Sequence, residues 1–278
     1  MRLAFRILAA AGLIGLVSGG AEAATIYANN PAPGDSFTSP SPSGAFQAIG
    51  ATGWYYNNVR NNASVGINTT LPRSGNGSVQ FTSPSGSGKA DIEYFGVLGS
   101  LADLSSASYD WYRSSSSTTG STFHPVLRLL IDRDGNTATT NDSGYLIFER
   151  AYNTPSSVPT DTWVTDTITA ETKLWNTGLG LGFAANINAT PYAYDATLAD
   201  WQAFMPNALI IGLSSGVGSG WNNTFEGAID NISLTIANIT TTTNFEVQGS
   251  TAVPEPASLA LFGLGLIGLA GLRRAKRG

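Results

Sequence analysis

The chain has 278 residues, with 14 Lys or Arg, 19 Asp or Glu, one His and no Cys, which suits one sizeable domain or two small ones and excludes a disulfide scaffold. Only 12% of residues are charged and 32 are glycine. That composition argues against a coiled coil, a helical bundle or a strongly charged disordered chain and favours turn-rich β structure.

Arg2 and Arg6 precede an apolar run over 7–17, and Ser18-Gly19-Gly20 leads into Ala21-Glu22-Ala23. A charged start, an apolar stretch of about ten residues and a small-x-small site are the three parts of a secretory signal. Residues 1–23 therefore read as a signal peptide for the Sec export machinery, cut after Ala23, with Ala21 and Ala23 as its small residues. The apolar run is too short to cross a hydrocarbon core of about 30 Å as a helix.

Residues 24–62 are rich in Pro, Gly, Ser and Asn but contain Phe37, Phe46, Trp54 and Tyr55, so an ordered leading strand region with long loops is expected. Beyond it, short β-rich runs recur between turn-forming clusters and predict strands over 79–81, 90–97, 108–113, 126–132, 145–150, 163–169, 209–214 and 227–236. In the last of these, Ile232, Leu234 and Ile236 alternate with Asn231, Ser233 and Thr235, the period of a sheet with one buried face. Residues 209–213 are almost continuously apolar, as suits a central strand covered on both faces. One short helix is expected over 197–204, begun by Asp195 or Thr197 and stopped before Pro206. So many strands with so few helical signals predict an all-β fold over 24–237, a two-sheet, jelly-roll-like β-sandwich. Residues 238–251 are Thr-rich and poor in apolar side chains, and read as an exposed linker.

At the end of the chain, Val253-Pro254-Glu255-Pro256 introduces an uncharged stretch over 257–272, followed at once by Arg273, Arg274, Lys276 and Arg277. Sixteen residues make about 24 Å of helix, a short membrane span whose basic tail belongs on the cytoplasmic side. The order Pro-Glu-Pro, short apolar helix, Arg-rich terminus closely resembles the PEP-CTERM sorting signal of exported proteins of Gram-negative bacteria. By that resemblance, 252–278 would hold the exported chain in the inner membrane through the transmembrane helix 257–272 until an exosortase processes it near Pro254-Glu255-Pro256. The resemblance also implies an association with exopolysaccharide production and a final place at the cell surface or in the extracellular matrix. Without both end segments the body keeps eight basic and seventeen acidic residues, a formal charge of −9, which disfavours nucleic acid as a partner.

Within the body, Asp132, Asp134, Asn136 and Asp142 gather side-chain oxygens in one loop, the donor type that Ca²⁺ takes. The spacing departs from an EF-hand, since Gly135 is fourth and position twelve is Ser143, and Asp-Gly-Asn turn chemistry in a hairpin is the simpler reading. His124 is the only imidazole and Cys is absent, so His-based zinc sites and thiol nucleophiles are ruled out. It reads as a loop histidine beside Pro125.

Asp91 and Glu93, two residues apart, share one face of a strand, and a retaining glycosidase needs two carboxyls about 5 to 5.5 Å apart. Exposed strand-face charges are the simpler explanation. Glu149 and Glu226 complete the acid/base candidates, and no spacing selects a pair. The aromatic residues Trp54, Tyr55, Tyr56, Trp111, Tyr112, Trp175, Trp201 and Trp221 could stack sugar rings. Trp221 and Trp111 are the candidate glycan-stacking residues, Trp221 for its polar loop context. The run 220–232 resembles the closing strand of exported β-sandwich domains, carbohydrate-binding ones among them.

The expectation is a noncatalytic, exported protein of the cell envelope or extracellular matrix that binds extracellular polysaccharide. A secreted glycan hydrolase on the same scaffold and a purely structural or adhesive surface protein are the alternatives. No cofactor is expected beyond Ca²⁺ at the acidic loop.

Overall fold

The computed structural model describes residues 22–139, 141–185, 187 and 192–249. In chain order the strands are β1 (Glu22–Tyr27), β2 (Phe37–Thr38), β3 (Ala45–Ala48), β4 (Trp54–Arg60) and β5 (Ser64–Asn68). They continue with β6 (Ser78–Ser83), β7 (Lys89–Ser100), β8 (Leu104–Arg113), β9 (Val126–Asp132) and β10 (Ser143–Phe148). The last five are β11 (Trp163–Ile168), β12 (Trp175–Gly178), β13 (Leu209–Val217), β14 (Phe225–Ile236) and β15 (Ile239–Glu246). Two short helices interrupt them, α1 (Arg150–Asn153) and α2 (Leu198–Phe204). Thr197 caps α2 by accepting from the Asp200 N–H while the Asp200 carboxylate reaches back to the Thr197 N–H, a capping box.

These strands form two sheets. The first runs β1-β15-β14-β6-β5-β2, with β8 on the other edge of β14 and β11 beyond it; the second runs β12-β10-β9-β13-β7-β4-β3. Pairing is antiparallel except between β1 and β15. The inner faces meet in one apolar core: Trp54 of the second sheet stands edge-on to Phe245 of the first at 5.1 Å, and Tyr109 meets Phe148 the same way at 6.2 Å. This is a β-sandwich. As expected, β13 is the central strand of the second sheet, and the sequence-based strands lie on β6 to β11, β13 and β14. The 145–150 strand ends earlier, at Phe148, because the chain turns into α1 from Glu149.

The reading of 238–251 as a linker is overturned. Residues 239–246 form β15, which pairs with β14 on one side and β1 on the other. Its threonines face polar partners, Thr242 Oγ1 lying 2.7 Å from Ser233 Oγ and Thr240 Oγ1 2.9 Å from Thr235 Oγ1. The buried Phe245 anchors the strand. The domain thus extends past 237.

On β14 the edge facing β6 passes to β15 part-way along: Phe225 to Ile229 pair with β6, and Ile232 to Ile236 with β15. Asp230 sits at the changeover. Its carboxylate accepts from the Phe245 N–H at 3.0 Å and the Ser74 N–H at 3.2 Å. Burial pushes its pKa from 3.8 up to about 7, against the pull of those N–H groups and with the Glu246 charge adding to the rise.

The expected signal peptide and the sorting segment lie mostly outside the described residues, as do Ala21 and the candidates from Val253 to Arg277. Ala23 is in β1, so a cut after it leaves 24–27 paired with β15. Among the described residues no helix is long and apolar enough to cross a membrane.

Candidate functional site

Side chains on a strand alternate between faces, and in the second sheet the face turned away from the core carries most of the charge. Register places Asp91 and Glu93 of β7 beside Gly216 and Ser214 of β13, and Ser214 in turn beside Arg128 of β9. Arg128 is flanked across the sheet by Ile147 of β10, which pairs with Trp175 of β12. Gly216 leaves room for this packing, since a Cβ there would collide with the Asp91 carboxylate and the Ala90 carbonyl.

Arg128 Nη1 donates to Asp91 Oδ1 at 2.8 Å and to Ser214 Oγ at 3.0 Å. Lys89 Nζ lies 3.0 Å from Asp91 Oδ2, which also accepts from Asn58 Nδ2 at 3.0 Å. Glu93 accepts from Asn57 Nδ2 and, at 3.4 Å, from the Tyr145 hydroxyl. Asp91 and Glu93 are 0% and 2% exposed. They are therefore not the exposed strand-face charges expected from sequence: the side chains of Asn57, Asn58, Lys89, Arg128 and Tyr145 close over them, and the cations repay part of the cost of burial.

Burial and the adjacent Asp91 charge raise the Glu93 pKa above its ordinary value, with Asn57, Ser214 and Arg128 opposing. Burial also raises Glu149, against the pull of Arg128 and the Trp175 indole. Burial works to lower Arg128, but Asp91 and Glu93 outweigh it and the guanidinium is held above its ordinary value. Tyr145 is pushed up by burial and by the charges of Glu93 and Asp91. The floor is thus a locked ion-pair network with two carboxyls that ionise reluctantly.

A cleft of about 270 Å³ opens over this floor, lined by Lys89, Glu93, Arg128, Tyr145, Glu149, Trp175, Phe183 and Trp221, among others. Its walls are aromatic. On one side Trp221 stacks on Phe123 at 5.1 Å and meets Phe225 edge-on. On the other, Trp175 packs against Phe183 at 5.4 Å and Tyr194 at 5.9 Å, and Phe183 against Tyr192 at 6.2 Å. Phe183 and Tyr192 are 56% and 70% exposed, so this wall continues outward as open ring faces.

Of the candidates read from sequence, Asp91 is buried beneath the cleft, and Glu93, Glu149, Trp175 and Trp221 line it. Glu226 does not: it lies on β14 of the first sheet, where Ser116 Oγ donates to it at 2.9 Å. Trp111 is overturned as a glycan-stacking residue, because it is fully buried, stacked on His124 at 4.6 Å, with its indole N–H donating to Asp166 at 2.8 Å. Tyr112, its neighbour, takes the outer face beside Trp163. His124 lies in the loop before β9, as expected, and is buried there. Its Nε2 accepts from the Arg150 N–H at 3.3 Å, which leaves Nδ1 to carry the proton toward the Pro125 carbonyl at 2.8 Å. Burial lowers its pKa to about 4. Sequence reasoning passed over Arg128 and Tyr145, although a lone arginine in the apolar run 126–131 is the signal that a buried anion waits opposite.

In the β9–β10 loop, carboxylate oxygens of Asp132, Asp134 and Asp142 all lie within 4.8 Å of one another. Asn136 is turned away, its Oδ1 accepting from the Ala138 N–H at 3.3 Å.

Residues 252–275 match the family model of the PEP-CTERM protein-sorting motif, so the chain carries that sorting signal, and the match takes in Val253, Pro254, Glu255, Pro256, Arg273 and Arg274. The motif implies export, sorting to the surface and processing by an exosortase. No curated protein matches the chain. Among solved structures it is similar to the family 11 carbohydrate-binding module of the cellulosomal cellulase Lic26A-Cel5E of Clostridium thermocellum. That likeness has 12% identity and a TM-score of 0.36, and covers 69% of this chain and 85% of that one.

Proposed function

We propose that this is a noncatalytic, polysaccharide-binding protein of the cell envelope or extracellular matrix, built on a jelly-roll-like sandwich and delivered there by its sorting signal. The observation that carries this reading is the cleft of the second sheet, where Trp175, Phe183 and Trp221 wall a floor of Arg128, Glu93 and Tyr145. Aromatic faces supply stacking area for sugar rings, while fixed charges and a hydroxyl offer hydrogen bonds to their substituents. A purely structural protein would not need open rings such as Phe183 and Tyr192 beside a charged cleft.

The test is retention of the protein on exopolysaccharide from its own host, in affinity electrophoresis. Trp175→Ala and Trp221→Ala should each weaken retention about tenfold, on the order of 1.4 kcal/mol, measured well below their melting temperatures, which the lost ring packing lowers. Retention unaffected in both variants would sink the reading.

A glycan hydrolase is the second reading, favoured by one observation: Glu93 and Glu149 both line the cleft with raised pKa values, as a general acid requires. Against it, Asp91 is bound to Lys89, Asn58 and Arg128, and Glu93 is engaged by Asn57 and Tyr145. Release of reducing ends that Glu149→Gln abolishes would decide for catalysis.

A further inference from the structure

We propose that Asp132, Asp134 and Asp142 form a Ca²⁺ site at the end of the second sheet. The geometry rests on where β9 stops. Asp132 is its last residue, held between Leu209 of β13 and Ser143 of β10, and its side chain has no access to solvent. Neither of its carboxylate oxygens makes a hydrogen bond of normal geometry, and only the Gly135 and Asn136 N–H groups approach it from the loop. A buried carboxylate with neither a full hydrogen bond nor a paired cation is a costly arrangement for a folded chain, and a bound cation removes that cost.

The other two acids close round it. Their oxygens and one of Asp132 are all within 4.8 Å of one another. Oxygens on opposite sides of a Ca²⁺ ion, at bonds of about 2.3 to 2.6 Å, stand about 4.6 to 5.2 Å apart, so one ion can touch all three. The loop is already folded for it. The Asp142 carboxylate accepts from the Asp134 N–H at 3.1 Å, the Asp134 carboxylate from the Asn136 N–H at 2.8 Å, and Gly135 takes φ +79 to make the turn between them.

No described Lys or Arg is ion-paired with these acids. Arg133, the adjacent cation, donates instead to the Leu179 carbonyl at 3.2 Å and lies over the Phe204 ring. Donors that are all oxygen, with no imidazole or thiolate, select a hard cation over zinc or copper. Asp132 lies on the same face of β9 as Arg128, four residues or about 13 Å further on. The ion therefore fastens the β9–β10 loop and the sheet end without entering the cleft, and the site stands independently of the glycan reading.

The test is calorimetric titration of the metal-stripped full chain with CaCl₂ and, separately, MgCl₂, together with melting curves in EDTA and in about 1 mM CaCl₂. One Ca²⁺ should bind in the range of extracellular modules, about 10⁻⁴ to 10⁻³ M or tighter, and raise the melting temperature. Asp134→Asn, at an exposed position that leaves the fold intact, should weaken Ca²⁺ binding at least about tenfold, since affinity follows the ligand charge. Asp132→Asn should melt no lower than the native chain in EDTA, because it removes a buried uncompensated charge, and should lose the Ca²⁺ response. Identical melting of the native chain in EDTA and CaCl₂ with no binding heat overturns the proposal, as does Ca²⁺ binding that Asp134→Asn leaves untouched. Mg²⁺ bound as tightly as Ca²⁺ overturns the assignment of the ion.

Discussion

The guanidinium of Arg128 lies 2.8 Å from the carboxylate of Asp91 on the outer face of the second sheet, Arg128 8% exposed and Asp91 not at all. This pair joins β9 to β7 across the central strand β13, and it builds the floor of the cleft. Because Asp91 keeps Lys89 when Arg128 is removed, Arg128→Met should cost toward the lower end of the roughly 3 to 5 kcal/mol expected for breaking a buried pair. Adding Asp91→Asn should return part of that loss, since it removes the anion that faced Arg128, while Glu93 and Lys89 stay without their former partners. Urea unfolding of the two variants measures both.

The chain beyond 237 belongs to the folded domain. A chain ending after Ala237 loses β15, and with it the partner strand of both β1 and the second half of β14. It should fail to give a cooperative melt, whereas one ending after Gly249 should melt like the intact body. Phe245→Ala, which empties a fully buried site against Trp54, should cost about 3 to 5 kcal/mol.

Asp230 makes stability fall with rising pH. Its folded pKa of about 7 lies above the ordinary 3.8, so its contribution is fully present below 3.8 and is lost as pH rises through about 7. Asp230→Asn removes that dependence while keeping one oxygen for the Phe245 N–H. The native chain should therefore lose stability relative to the variant between pH 4 and 7 in paired urea titrations. A constant difference over that range would count against a buried, reluctant carboxyl.

His124 acts with the opposite sign over nearly the same range. Its folded pKa of about 4 lies below the ordinary 6.5, so its contribution is present above pH 6.5 and is lost as pH falls through about 4. Relative to His124→Gln, the native chain should weaken as acid is added. Nitrogen NMR at pH 5.5 should still show a neutral ring protonated at Nδ1; an imidazolium signal there would contradict the buried geometry.

Much of the sandwich was legible because a sheet with one buried face writes its period into the chain, as 227–236 does. The strands that were missed, or placed only within a leading strand region, lack that sign. In β15 both faces of the sheet receive threonine over 240–243, so the alternation is between Thr and Thr, and among its apolar residues only Phe245 marks the buried end. In β4, Trp54-Tyr55-Tyr56-Asn57-Asn58 hides its inward residues among equally aromatic neighbours, and the irregularity at Asn58, with φ +53, breaks the period before Val59 returns to the core. Trp111 misled for a related reason: an aromatic ring reads the same whether it will be buried or open.

The address of this protein was determined by the sequence alone, because a sorting signal is linear: Pro-Glu-Pro, an apolar run and a basic tail act in the order in which they are written. So was the class of fold, since strand periodicity and turn residues act over a few neighbours. The cleft was decided only by tertiary structure. Asp91, Arg128 and Trp221 are 37 and 93 residues apart in succession, and only the pairing of β7, β13 and β9, together with the path of the connection after β13, brings them to one side of the sheet. What the acids do there follows from desolvation and from which cation stands opposite, and both are properties of the packed sheet, not of the chain.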